Sequence, residues 1–138
     1  MSGRPFFDTN VLLYLLSADT AKADRAEELL AGGGVVSVQV LNEFSAVCTR
    51  KLGMKWAEVT DALDAIRPLC SIEPLTVETH DRGVALAIRY GFSVYDAMIV
   101  AAALIAGANV LYSEDLQDGL RVDESMTVRN LFSTPKSK

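Results

Sequence analysis

The sequence is poor in the residues that most often build zinc centres and nucleophilic active sites. It contains one histidine and two cysteines, Cys48 and Cys70. These are too few for a zinc site of Cys and His ligands at the usual spacing. The histidine, His80, lies early in a predicted helix beside charged residues, and we interpret it as an exposed side chain. A Ser/His/Asp catalytic triad is therefore not expected.

An excess of basic residues is also missing. Asp and Glu outnumber Lys and Arg by 18 to 13, which gives a formal net charge of −5 and a pI of about 4.8. Such a surface does not attract nucleic acid over long distances. Any contact with RNA or DNA must come from a local basic patch or from bound cations. The basic residues form no continuous run; they include Arg4, Arg50, Lys51, Lys55, Arg82 and Arg89.

The sequence also lacks the long apolar segments that are typical of signal peptides and membrane-spanning helices. Residues 1–5 lack the apolar centre of a signal peptide. The longest apolar run, 97–112, is short for a membrane span and is interrupted by Gly107 and Asn109. We therefore expect a cytoplasmic protein in which both cysteines stay free thiols.

What the sequence does contain is a large apolar fraction in a regular pattern. Half of the 138 residues are hydrophobic and the mean hydropathy is +0.22, so the chain can bury a core. Short apolar strands alternate with amphipathic helices, which predicts an α/β fold with three layers, α/β/α, around a central parallel sheet of four to five short strands. We expect one domain over residues 1–132, followed by a polar tail at 133–138.

Caps and periodicity place the expected elements along the chain. Strands are predicted to end at Phe7 and to cover residues 35–38, 70–75, 109–113 and 126–132. Helices are predicted over 11–16, 21–31, 39–51, 55–69, 77–90 and from 93 to Gly107. Thr20 is expected to cap the second helix. Several apolar helix residues are expected to pack inward, among them Trp56, Val77, Val84, Leu86 and Ile88.

Four acids occupy equivalent places in this pattern. Asp8 follows the first strand and Asp115 follows the strand at 109–113, while Glu43 and Asp96 lie in the early turns of helices. The carboxyl ends of parallel strands meet at one edge of a sheet, where ligands bind. Converging carboxylates repel one another, and a hard divalent cation such as Mg²⁺ is the usual reason for them. Taken singly each acid has a structural reading, and Ser93-x-x-Asp96 fits a capping box.

With these residues the chain resembles the PIN-domain family, in particular its VapC-type toxin ribonucleases. The matching segments, in the order of the family, are 7–12 (FDTNVL), 41–44 (LNEF), 95–103 (YDAMIVAAA) and 111–119 (LYSEDLQDG). The resemblance covers nearly the whole chain. It implies a Mg²⁺-dependent endoribonuclease, with Mn²⁺ as a possible substitute, that acts on RNA. It also implies a homodimer and an antitoxin protein as partner.

The resemblance assigns roles to individual residues. Asp8, Glu43, Asp96 and Asp115 match the family's acidic quartet. The first three would hold the ion or its water shell, and Asp115 would complete the pocket or hold a second ion. The supporting positions that orient the first acid or a metal-bound water are Asn10 and Ser113. A further acid in the last loop, Asp118, is the reserve for Asp115.

Three other functions fit parts of the pattern. A phosphotransferase could use Asp8 as a covalent nucleophile, but such enzymes require a second aspartate two residues later, where this chain has Asn10. A phospho-acceptor domain of receiver type needs a late lysine, and none occurs between Lys55 and Lys136. A PIN-like module could also be catalytically inert and only bind partners. Tyr14 and Tyr95 are the aromatic residues expected nearest the acids.

Overall fold

The strand Phe6–Phe7, β1, lies inside the sheet and is the element from which the others are arranged. The computed structural model describes residues 3–132. Both phenylalanines are fully buried, because the strand has a neighbour on each side and helices cover the sheet. The predicted polar tail at 133–138 lies outside the described residues.

The sheet has six strands in the order β3-β2-β1-β4-β6-β5. The strands are β1 (Phe6–Phe7), β2 (Gly34–Ser37), β3 (Cys70–Glu73), β4 (Val110–Tyr112), β5 (Arg121–Val122) and β6 (Met126–Arg129). All neighbouring pairs are parallel except β5 with β6. The helices are α1 (Thr9–Tyr14), α2 (Thr20–Ala31), α3 (Val38–Arg50), α4 (Trp56–Ile66), α5 (Val77–Tyr90) and α6 (Val94–Ile105), with a 3₁₀ turn at Arg67–Leu69.

This architecture confirms the predicted α/β class with a central, mostly parallel sheet flanked by helices. The predicted number of strands, four to five, is wrong because the antiparallel edge strand β5 was not foreseen. β5 and β6 form a hairpin whose loop contains Asp123 and Glu124, both with positive φ (49° and 58°). Hairpin loops of this kind usually carry Gly or Asn at such positions. The sequence therefore gave no hairpin signal there.

The sixth helix, α6, forms the most deeply buried part of the helical layer. Its residues 97–103 are all buried, as its continuous apolar sequence predicts. Ser93 caps the helix by accepting a hydrogen bond from the backbone N–H of Asp96. Within residues 3–132 no single helix is long and apolar enough to cross a membrane; α5 and α6 pass that test only as a pair bent by 115°.

The fifth helix, α5, buries a different face from the one expected. Val77 and Ile88 are 77% and 80% exposed, and the expectation that they pack inward is wrong. The buried face is Thr79, Gly83 and Leu86, where Leu86 agrees with the prediction. A Cβ on Gly83 would lie 2.5 Å from the methyl carbon of Met98, so the absence of a side chain lets α5 and α6 approach closely. Close approach of the backbones decided which face packs.

Two smaller expectations are also wrong. Trp56 is 64% exposed at the start of α4. The cap of α2 is Asp19, whose side chain accepts hydrogen bonds from the N–H groups of Ala21 and Lys22, and Thr20 is the first helical residue. Aspartate is the stronger capping residue of the two, which accounts for the shift. Cys48 and Cys70 are free thiols, the first buried and the second half-buried.

Candidate active site

Asp8 follows β1 directly and is the N-cap of α1. Its backbone is extended (φ −73°, ψ 167°), and its Oδ1 accepts a hydrogen bond of 2.6 Å from the N–H of Thr9. The side chain is buried, with 2% exposed. Asp8 therefore has the structural role of a helix N-cap. It uses one carboxylate oxygen and leaves the role of the other to be explained.

The second oxygen of Asp8 is held by Ser113, which follows β4. Phe7 pairs with Tyr112 across the parallel ladder, so the next residues of the two strands lie side by side. The hydroxyl of Ser113 donates a hydrogen bond of 2.6 Å to Oδ2 of Asp8 and accepts one of 3.1 Å from the N–H of Asp115. Ser113 thus joins the first acid of the predicted quartet to the last.

These two strand ends lie at the point where the sheet changes direction. From β1 the chain moves to β2 and β3 on one side, and then returns to place β4 on the other side of β1. The loops after β1 and β4 therefore diverge and leave a crevice at their carboxyl ends. Crevices of this kind are where open α/β sheets bind their ligands.

Glu43 is tied to the same crevice through Thr9. The Thr9 hydroxyl donates to Oε1 of Glu43 (3.2 Å), and the side-chain amide of Gln39 donates to Oε2 (2.9 Å). Gln39 and Glu43 lie one turn apart on α3, which packs against α1. The Glu43 carboxylate is therefore oriented by two donors, and it is linked to Asp8 through the adjacent residue of the chain.

Asp96 enters the crevice from the first turn of α6. Its N–H is capped by Ser93, but in residues 3–132 the reciprocal bond of a capping box, from the Ser93 N–H to the Asp96 carboxylate, is absent. The cap therefore uses the backbone N–H of Asp96. Burial raises the pKa of Asp96, and so does the negative charge of Asp115, while a side-chain hydrogen bond with Ser93 opposes that rise.

The acids repel one another electrostatically. Burial raises the pKa of Asp8 from 3.8 to about 6, and the charges of Asp115 and Asp96 add to that rise, while the hydrogen bonds from Ser113 and Thr9 oppose it. A buried carboxyl with two further acids close enough to raise its pKa forms a site that favours a positively charged ligand. A structural cap alone would not need the other two acids.

The donor set suits a hydrated divalent cation. Within the described residues, no three His, Cys, Asp or Glu side chains are placed to hold one ion directly. Mg²⁺ usually binds through one or two carboxylates and keeps several of its waters. Carboxylates that share a crevice without converging on one point fit that mode of binding, in which part of the coordination passes through water.

Two predicted positions behave differently from the acids. Asn10 makes no hydrogen bond to Asp8, and its Oδ1 and Nδ2 are buried without a partner in the part of the chain that the structure describes. Asn10 therefore does not orient the first acid through a direct hydrogen bond, and the alternative, that it orients a metal-bound water, stays a prediction. Asp118 accepts a hydrogen bond of 2.9 Å from the N–H of Asn130, and it does not contribute to the raised pKa of Asp8. Asp115 is thus the better fourth acid.

The sequence reasoning missed two contacts that shape the site. Thr9 and Gln39 orient Glu43, yet neither was singled out. Gln39 precedes Glu43 by four residues on one helix, and that spacing was a usable signal. Tyr14, which was expected near the acids, donates its hydroxyl to Glu114, the neighbour of Asp115. Burial and this hydrogen bond raise the pKa of Tyr14 to about 12.

Comparison with known proteins places this geometry in a family. Residues 6–121 match the model of the PIN domain. No curated protein sequence matches the chain.

Solved structures with the same fold cover most of the chain at low identity. VapC20 of Mycobacterium tuberculosis, described as a Sarcin-Ricin loop cleaving toxin, is 23% identical with a TM-score of 0.64, over 79% of this chain and 88% of that one. A toxin–antitoxin complex from Klebsiella pneumoniae is 20% identical with a TM-score of 0.71, over 94% and 99%. FitAB bound to an IR36 DNA fragment is 17% identical with a TM-score of 0.70, over 97% and 99%. By the family model and by its fold, the chain belongs to the PIN domain family.

Proposed function

We propose that this protein is a metal-dependent endoribonuclease and the toxin of a toxin–antitoxin pair. The observation that carries the proposal is the group of Asp8, Asp96 and Asp115 at the switch point of the sheet. Asp8 is buried and fixed by two donors, and the other two acids raise its pKa. A buried acid in that setting is stabilised as a carboxylate when a cation neutralises the group.

The contacts of the four acids suggest a role for each of them in binding the metal ion or the attacking water. Asp8 and Asp96 would hold Mg²⁺ or Mn²⁺, and Asp115 would complete the pocket or hold a second ion. Glu43, oriented by Thr9 and Gln39, would bind and align the water that attacks the phosphodiester. The bound ion would supply a lowered pKa for that water and charge stabilisation for the leaving oxygen. No nucleophilic side chain is required.

Support for the toxin role comes from the structural relatives. One is named a Sarcin-Ricin loop cleaving toxin and another is a toxin–antitoxin complex. We extend both properties to this chain as part of the proposal, with RNA as substrate, an antitoxin protein as partner, a homodimer as the working form and the cytoplasm as location. The phosphotransferase alternative gains no support, because Asn10 stands where a second acid would be needed and makes no hydrogen bond to Asp8.

The decisive experiment is cleavage of total RNA by the purified protein in Mn²⁺, in Mg²⁺ and in EDTA. The matched control is Asp96→Asn, which keeps the backbone N–H that Ser93 caps. We expect cleavage by the wild type in both ions, none in EDTA and none by the variant. Cleavage undiminished in EDTA would rule out the metal mechanism. A folded wild type that cuts no RNA in Mn²⁺ would favour the inert binding module.

The toxin role has its own test. Induced expression of the wild type in a bacterial host is expected to stop growth, and Asp96→Asn at the same protein level is not. Growth arrest that persists in a variant without nuclease activity would separate toxicity from RNA cleavage and contradict this part of the proposal.

A further inference from the structure

A groove runs from beside Glu43 along the exposed face of α3. Its volume is about 480 Å³, within the range of small-ligand sites. Five of its residues are spaced along one face of α3, and Tyr95 closes it from the start of α6. The lining residues are Gln39, Asn42, Glu43, Ala46, Arg50 and Tyr95. The groove therefore begins at an acid of the candidate site and also contains two amides, a guanidinium and an aromatic ring.

Arg50 supplies a positive charge at the far end of the groove. It is the last residue of α3 and is exposed. Within residues 3–132 its side chain forms no salt bridge and donates no hydrogen bond, since the ion pairs there are Arg25–Glu28 and Arg89–Asp123. A free guanidinium in an open groove is suited to bidentate binding of a phosphate. It provides the local positive charge that a protein of net charge −5 needs.

Tyr95 supplies an exposed aromatic face next to Asp96. Its side chain is 65% exposed, and within the described residues its ring has no aromatic partner and its hydroxyl no hydrogen bond. Core packing therefore does not explain it. An exposed ring beside a cationic groove is a platform on which an unpaired base can stack.

The distance between the charged ends matches a short piece of nucleic acid. Glu43 and Arg50 are two helical turns apart, about 10 Å along the axis of α3. A stacked strand advances about 3.4 Å per nucleotide, so the groove spans up to three nucleotides and fewer if the strand is extended.

We propose that this groove is the subsite for single-stranded RNA next to the cleaved bond, with Tyr95 stacking on a base and Arg50 binding a phosphate of the same strand. The inference rests on the proposed ribonuclease function and adds to it the residues that hold the substrate. We expect the RNA to be single-stranded because Tyr95 can stack only on a base that is not paired in a duplex.

Binding is tested separately from cleavage, in the background of Asp96→Asn. The probe is a fluorescent single-stranded RNA selected from sequences that the wild type cuts. Tyr95→Leu is expected to weaken binding roughly 5- to 150-fold, whereas Tyr95→Phe keeps the affinity. Arg50→Gln is expected to reduce the slope of log affinity against log salt by about 0.7, as the loss of one phosphate contact requires.

Two matched controls exclude general effects on the surface. Trp56→Leu removes an aromatic side chain of nearly the same exposure, 64%, outside the groove. Arg67→Gln removes an exposed charge on the 3₁₀ turn. Both are expected to leave RNA affinity and salt dependence unchanged.

The outcomes distinguish this inference from the proposed function. If the wild type cleaves RNA but Tyr95→Leu and Arg50→Gln bind it as tightly as their parent, the subsite is wrong and the nuclease stands. If Tyr95→Leu instead changes the oligomeric mass in light scattering and leaves RNA affinity intact, the face belongs to a second copy of the chain. If no variant binds RNA and the wild type does not cut it, both proposals fail.

Discussion

The hydroxyl of Ser113 donates a hydrogen bond of 2.6 Å to Oδ2 of Asp8, across a sequence separation of 105 residues. Both groups are buried, with 0% and 2% of their surface exposed. The contact follows from the register of β1 with β4, in which Phe7 pairs with Tyr112. It sets the direction in which the first acid of the site points.

Ser113→Ala tests this contact. The loss of a donor to the Asp8 carboxylate is expected to lower the cleavage rate about 10- to 100-fold, the usual effect of removing a group that orients a metal ligand. It should also raise the Mg²⁺ concentration needed for half-maximal activity. Cleavage measured against Mg²⁺ concentration checks both effects. Ser45→Ala removes a hydroxyl that bonds to the carbonyl of Leu41, away from the acids, and is the control. Equal loss in both variants would contradict the orienting role.

The raised pKa of Asp8 predicts an unusual dependence of folding stability on pH. This pKa is raised from 3.8 to about 6 in the folded protein. Below about pH 4 the carboxyl is protonated in both states and its contribution to stability is fully present. Between about pH 4 and pH 6 the unfolded chain has released the proton while the folded protein still holds it, so stability falls across this range and the loss reaches roughly 3 kcal/mol above it.

Asp8→Asn removes that titration. The variant is therefore expected to be more stable than the wild type at pH 7.5 without divalent ions, and the difference should vanish near pH 4. Thermal unfolding at both pH values measures this difference in stability. Because the two proteins share all other carboxylates, the contributions of those groups cancel in the comparison. A wild type that is the more stable one at pH 7.5 would show that Asp8 is stabilised as a carboxylate without a cation. Added Mg²⁺ should raise the melting temperature of the wild type more than that of the variant.

Thr9→Val tests the orientation of Glu43. Valine keeps the shape of Thr9 and removes the hydroxyl that donates to Oε1, so Glu43 retains only the donor from Gln39. We expect a fall in cleavage rate of about 10-fold with little change in RNA affinity. Thr49→Val, which removes a hydroxyl bonded within α3 to the carbonyls of Ser45 and Ala46, is the control. An unchanged rate in Thr9→Val would mean that Glu43 needs no fixed direction.

The fourth acid is tested by comparing Asp115→Asn with Asp118→Asn. Asp115 faces the group that contains Asp8 and Asp96, so its neutralisation is expected to lower the cleavage rate at least about 10-fold. Asp118 accepts a hydrogen bond from the N–H of Asn130, and an asparagine oxygen can still accept it. Asp118→Asn is therefore expected to keep the rate. The reverse pattern in the two rates would make Asp118 the ligand.

Local patterns were enough to place most of the elements. The apolar run of α6, its cap Ser93 and every strand except β5 were predicted from neighbouring residues. The placement of acids at strand ends was read in the same way, and Asp8 and Asp115 lie where it predicts. These features depend on interactions within a few residues along the chain, which a sequence displays directly.

Features that depend on contacts between distant segments were harder to foresee. The hairpin β5–β6 turns through Asp123 and Glu124 without the usual glycine, and pairing with the rest of the sheet holds it. Val77 and Ile88 are apolar yet exposed, because Gly83 lets another face of α5 approach α6 more closely. In each case packing overrode the local preference.

Periodicity and chain order are local properties, and they were sufficient to predict an α/β domain with acids following its strands. Which groups donate hydrogen bonds to those acids depends on tertiary packing. Strand register placed Ser113 on Asp8, and the packing of α1 against α3 placed Thr9 on Glu43. It also left the amide of Asn10 without a partner in the described chain. Such pairings join residues far apart in sequence, and their geometry is fixed only when the whole sheet and its helices pack together.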